Sequence, residues 1–216
     1  MKQPKAIIFD LDGVIVDTAK FHYEAWKKIA NDLGLDFTKA QNEHLKGVSR
    51  VESLNKILEW GGIKLNQDEK DVLLEAKNKH YLSLISHMDE TELLEGIPVL
   101  LGKLVEAKVP FALGSASKNA RLILDILHLS NLFSAIVDGS DVTKAKPDPE
   151  VFLIAAERLG YKPEDCIVVE DSKAGIQAAR TAGMVSVGIG AKDVLGEADV
   201  ILDDTSQLTY DLLSGL

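Results

Sequence analysis

The chain alternates short β-branched apolar runs with longer stretches of helical periodicity. Runs rich in Val, Ile and Phe fall at 6–9, 110–113, 135–137, 166–169, 185–189 and 200–202. Each is short and continuously apolar, as expected of a strand buried on both faces. Between the later runs, apolar residues recur at 3.6-residue spacing over 97–107, 119–127, 149–159, 174–182 and 206–213. Strand and helix in regular alternation predict right-handed crossovers and a mainly parallel sheet. The stretch 17–88 breaks that rhythm. It holds no convincing strand, and its helical periods run over 21–33, 51–60 and 69–85, interrupted by breaks such as Gly61-Gly62. A small helical unit inserted after the first strand explains it. The expected fold is therefore α/β: a mainly parallel-sheet core (1–16 and 89–216) with an inserted small helical domain (17–88). The two crossings, near Asp17-Thr18 and Asp89–Glu92, would lie side by side as a hinge, and the insertion would hang over the end of the first strand as a lid.

Composition narrows the class. At 216 residues the chain suits one large domain or two small ones. The 46% apolar content supports a substantial core. A net charge of −10 argues against nucleic-acid or anionic-membrane partners. No apolar stretch is long enough to span a bilayer, and no signal-peptide pattern precedes the first strand. The single cysteine, Cys166, permits no internal disulfide and sits in an apolar strand pattern, where it reads as a core filler. A cytoplasmic monomer is the expectation.

Candidate chemistry sits where the strands end. The first run leads into Asp10-Leu11-Asp12-Gly13. Two carboxylates at i and i+2 leave the sheet together, and Gly13 lets the chain turn. In open α/β folds, chemistry lies beyond the carboxyl ends of the strands. One acid there can serve as nucleophile and the other as proton carrier. Gly114-Ser115-Ala116-Ser117-Lys118-Asn119 follows the second run and offers hydroxyls, backbone N–H groups and a cation to an anion. Lys146 sits in a turn stiffened by Pro147 and Pro149. Glu170-Asp171-Ser172 closes another strand. Each stretch alone could be ordinary helix capping or loop. Together and in this order they are not. Asp10, Glu170 and Asp171 converging, with a lysine nearby, make an all-oxygen site suited to Mg²⁺.

These four stretches, with Asp10 and Asp12, Ser115, Lys146, and Glu170 with Asp171, resemble the four motifs of the haloacid dehalogenase superfamily, and the likeness runs essentially the whole length. The resemblance implies a Rossmann-like core, Mg²⁺ and a phosphorylated Asp10. It implies metal ligation by Asp10, Asp12 through its carbonyl, Glu170 and Asp171. The helical insertion resembles the small cap of that superfamily. Within it, Lys46-Gly47-Val48-Ser49-Arg50 and Ser53 between cap helices, Thr18, His22, Lys77, and Ser115 to Asn119 (Ala116, Ser117 and Lys118 included) look like the sugar-phosphate mutase branch. That likeness implies interconversion of β-glucose 1-phosphate and glucose 6-phosphate through a bisphosphate. Asp12 would be acid and base, and Arg50 with Ser117, Lys118 and Asn119 would hold the phosphate that is not reacting. Arg50 offers a planar fork suited to it. Phe21, Trp26, Ile29 and Leu33, at helical spacing, read as cap core. A sugar-phosphate phosphatase of the same superfamily is the alternative, and a non-catalytic sugar-phosphate binder is disfavoured because binding needs no nucleophile–acid pair.

Overall fold

The computed structural model describes residues 6–216; residues 1–5 of the expected core segment lie outside the described residues. Six strands form one parallel sheet: β1 (Ala6–Phe9), β2 (Phe111–Gly114), β3 (Ala135–Val137), β4 (Cys166–Glu170), β5 (Val185–Ile189) and β6 (Val200–Leu202). Their order is β3-β2-β1-β4-β5-β6, so the winding reverses beside β1. That reversal point opens a crevice at the carboxyl ends of the strands. Register aligns the site: Phe9 of β1 lies opposite Leu113 of β2 and Val169 of β4. The residues that follow these three positions therefore emerge side by side.

The period-2 alternation of β1 divides the core. Ile7 and Phe9 pack on one face with α5 (Ile97–Glu106), α6 (Ala120–Ile126) and α10 (Tyr210–Ser214). Ala6 and Ile8 pack on the other, with α7 (Glu150–Leu159) and α8 (Lys173–Thr181). All four side chains of β1 are fully buried, as a central parallel strand requires.

Between β1 and α5 the chain forms α1 (Ala19–Asp32), α2 (Lys39–Glu43), α3 (Arg50–Trp60) and α4 (Gln67–Ile85). Trp26, Ile29, Phe37, Leu54, Ile57 and Leu58 give these helices a core of their own. Near the crossings, Ala25, Tyr81 and Ile85 join the sheet's cluster instead. The crossings do lie side by side: Val16 bridges Leu93 antiparallel, Asp17 N–H donates to the Glu92 carbonyl (2.9 Å), and Lys20 pairs with Glu92 (2.6 Å).

Three elements differ from the expected pattern. The helix expected over 206–213 is instead a 3₁₀ turn at Thr205–Gln207 followed by α10. Asp204 caps the turn and Thr209 caps α10, so two competing caps split the run. Helix α2 carries no long apolar period. It is set by a capping box in which Thr38 and Gln41 satisfy each other's backbone. The one-turn helix α9 (Lys192–Leu195) also escapes a periodicity reading.

Candidate active site

Asp10 leaves β1 with its N–H bonded to the Val169 carbonyl (2.9 Å), which ties it to β4. Its carboxylate is buried and accepts from the Lys146 ammonium at 2.7 Å. The same ammonium donates to Glu170 at 2.7 Å and lies 4.7 Å from the centre of the Phe152 ring. Burial alone would lower the Lys146 pKa, but Asp10 and Glu170 hold it above the usual lysine range. The prolines are not the whole reason Lys146 is fixed. Glu150 accepts from the Thr143 and Lys144 N–H groups (3.0 and 2.6 Å), and Asp141 is held by Arg121 and Arg158 (2.8 and 2.7 Å). The Lys146–Pro147 peptide is cis.

Gly13 turns the chain at φ +80°, and a Cβ there would overlap the Asp171 carboxylate. The glycine therefore both makes the turn and lets Asp171 approach. Oxygens of Asp10, Glu170 and Asp171 lie within 4.8 Å of one another. Glu170 is fully buried, and its second oxygen accepts from Ser172 Oγ (2.7 Å) and Ser172 N–H (3.0 Å). Burial, then repulsion from Glu170, pushes the Asp171 carboxyl up to about 7 and Asp10 well above the carboxylate range. Three carboxyls share one fully buried ammonium, so negative charge is left over. An all-oxygen donor set with surplus negative charge fits a divalent cation. Lys46, on the loop after α2, answers part of that charge by pairing with Asp171 at 3.3 Å.

Asp12 stands two residues on, its side chain about a third exposed to the cleft (31%). The Thr18 hydroxyl donates to it. Burial raises the Asp12 pKa while Thr18 opposes the rise. A carboxyl whose proton is held more tightly than usual, at the edge of the cleft, is suited to giving and taking a proton. The ring of His22 lies above it, Nε2 at 4.0 Å. Burial, then Lys77 and Arg50, holds that imidazole neutral, well below its usual pKa. Lys77 meets Nδ1 at 3.0 Å, which assigns the proton to Nε2, a buried donor without a protein partner. Lys77 itself is 3% exposed, above the rings of Tyr81 and Trp26 (4.4 and 5.0 Å), and burial lowers its pKa to about 7. The sequence alone gives both residues plain exposed-helix explanations; the packing of α1 on α4 removes them.

Arg50 is the first residue of α3, capped by Ser49, not a loop residue. Burial lowers its pKa and no carboxylate opposes the shift. Ser53 is buried and donates to the Ser49 carbonyl (2.9 Å). Across the cleft, Ser115 Oγ accepts from Ser117 N–H (3.1 Å), and Ser117 Oγ from Asn119 N–H (3.2 Å). These two turns wind the loop tightly at the end of β2. One cavity of about 460 Å³ collects all of this. Every residue expected from the sequence lines it except Glu170, which sits behind Lys146. Trp26, expected as core, is core and cavity wall at once. Asn42 and Asn78 also line it, and neither carries a signal in the sequence beyond its helix; Tyr81, buried behind Lys77 with its hydroxyl unpaired, follows Leu74, Lys77 and Asn78 at helical spacing.

Comparison with known proteins agrees with this geometry. The sequence profile of haloacid dehalogenase-like hydrolases matches residues 4–183. A β-phosphoglucomutase of Bacillus subtilis (strain 168) is 46% identical over 97% of this chain and 93% of its own. A phosphorylated-carbohydrates phosphatase of Thermotoga maritima is 32% identical over 92% of this chain and 90% of its own. The crystal structure of a β-phosphoglucomutase from Clostridium difficile superposes with a TM-score of 0.94 at 42% identity, covering all of this chain and 96% of that one. With its fold, its strand-end residues and most of its length in agreement, the chain belongs to the haloacid dehalogenase-like hydrolase family.

Proposed function

We propose that this protein is an isomerase of the β-phosphoglucomutase type, interconverting β-D-glucose 1-phosphate and D-glucose 6-phosphate through β-glucose 1,6-bisphosphate. One observation carries the reading. A single cavity is lined by the Asp10–Asp12 pair and also by Arg50, Ser117, Lys118 and Asn119, groups suited to holding a second anion. A sugar with phosphate at both ends needs two such places, and a monophosphate needs one. The 46% identity to a β-phosphoglucomutase supports it; the phosphatase alternative rests on a more distant relative.

In this reading an oxygen of Asp10 attacks phosphorus, the phosphorus–oxygen bond to the sugar breaks, and Asp12 gives the departing oxygen a proton. In the next half-reaction Asp12 takes the proton of the other hydroxyl as that oxygen accepts the phosphoryl group back from Asp10. Thr18 and His22 orient Asp12, Lys77 and Ser53 with the 46–49 loop bind the sugar, and Ser115 and Lys146 hold the transferring phosphoryl oxygens. Asp10, Glu170, Asp171 and the Asp12 carbonyl would hold Mg²⁺. Bound there, the ion supplies positive charge to the transferring group and keeps Asp10 ionised. Residues 17–88 act as a cap that closes about the crossings at Val16–Asp17 and Glu92–Leu93 and excludes water. We take the protein as a cytoplasmic monomer; Cys166 is buried, and among the described residues no helix is long and apolar enough to cross a membrane.

The test is a double readout. Enzyme, β-glucose 1-phosphate, Mg²⁺ and a trace of the bisphosphate should yield glucose 6-phosphate with little inorganic phosphate. Stoichiometric phosphate release without isomerisation would replace the mutase by a phosphatase.

A further inference from the structure

One polar contact spans the cleft without belonging to any expected site residue pair. Asn119 Nδ2 donates to Asn78 Oδ1 at 3.0 Å, joining the loop after β2 to helix α4 over 41 positions of sequence. Both side chains line the cavity. Leu74, Lys77 and Asn78 line it together, and their i, i+3, i+4 spacing puts them on one face of α4. Asn78 therefore shares its helical face with the buried Lys77.

We infer that Asn78 is a positioning residue: its carboxamide oxygen fixes the Asn119 amide so that the second N–H of that amide is left for a ligand phosphate. An amide nitrogen has two donors in one plane. Donating one to Asn78 sets the plane and aims the other. The Asn119 backbone N–H is already spent on Ser117 Oγ, so the side chain is the donor this residue has left to offer. Because Asn78 rides on the inserted helices and Asn119 on the sheet, the bond forms only when the two sides of the cleft are together. Phosphate recognition on the sheet side thus reports on closure. The inference rests on the proposed second phosphate site, and deepens it.

The test is a double-mutant cycle on binding, not on turnover. In an Asp10→Asn background, calorimetry measures glucose 6-phosphate and β-glucose 1-phosphate binding to the parent, N78A, N119A and the pair. Alanine favours an exposed helix at least as well as asparagine, so α4 should hold, which melting curves check. Each single change should weaken binding roughly 3- to 10-fold, the range of one hydrogen bond. The pair should weaken it no more than the worse single change, because Asn78 acts through Asn119. N78S, which keeps a side-chain acceptor but a shorter one, should recover part of the loss. A double loss equal to the product of the single losses, or full binding in N78A, overturns the inference. Because the ligands bind a chemically dead enzyme, this outcome is independent of whether the active enzyme isomerises or hydrolyses.

Discussion

Asp10 and Asp171 are carboxyls placed where a carboxylate is unfavourable, and their protonation gives a signed prediction. Burial holds Asp171 near 7 in the folded protein against an ordinary 3.8. Between those values the folded chain keeps a proton that the unfolded chain has released. The stabilisation is full below about pH 4 and is lost as pH rises through about 7. Asp10 acts in the same direction. Lys77 acts oppositely: its folded pKa of about 7 lies below the ordinary 10.5, so its contribution rises with pH across that window. The difference made by a cation isolates the acids. Millimolar Mg²⁺ should raise the melting temperature little near pH 5 and by about 4 °C or more near pH 8. Melting curves at both pH values with and without Mg²⁺ check it, and an equal rise at both would remove Asp10 and Asp171 from the cation site.

Among the inserted elements, the loop between α2 and α3 reaches the acid cluster directly, Lys46 pairing with Asp171 at 3.3 Å. Gly47 has φ +69°, and a Cβ there would overlap Ser172 Oγ, one residue from Asp171. Gly47→Ala should cost about 1–2 kcal/mol of local strain in the closed arrangement. It should also hold the loop off the sheet. Steady-state kinetics should show kcat reduced at least tenfold with melting changed by only a few degrees; unchanged kcat would mean that this loop need not seat for turnover. The sequence shows this loop as a glycine beside cations, but not what it seats against. That difference recurs. All six strands fall within one residue of the runs the sequence marks, because continuous Val/Ile runs have no other stable use in an α/β chain, and Asp10, Ser115 and Glu170 are legible as strand-end residues while Lys146 is legible only as a lysine in a proline-stiffened turn. Helix α2 escapes a periodicity reading since five residues carry no period, although Thr38 and Gln41 spell its capping box. The pairs Lys46–Asp171 and Asn78–Asn119 join residues far apart in the chain. No spacing rule reaches them; they follow from how the inserted helices settle on the sheet. Lys77 and His22 illustrate the same point, being ordinary helix residues until α1 packs against α4.

The whole molecule is acidic, with a net charge of −10, yet its cleft is lined by Lys46, Arg50, Lys77, Lys118 and Lys146. An acidic surface disfavours a nucleic acid, and the basic side chains gathered in the cleft offer partners to a small anion. The inserted helices have a core of their own and meet the sheet chiefly at the crossings and across the cleft. That division suits a lid that opens for a bisphosphate to leave, turn and return. In the proposed mutase cycle the two ends of the sugar visit the same aspartate in succession. The most direct measurement of this claim follows the phosphoryl group itself. Enzyme mixed with ³²P-labelled glucose 1,6-bisphosphate and quenched in acid should carry the label on Asp10, and the Asp10→Asn variant should carry none. Adding unlabelled β-glucose 1-phosphate should move the label from Asp10 to a sugar bisphosphate faster than it appears as inorganic phosphate. Label that passes from Asp10 to water alone, or that never resides on Asp10, would contradict the account.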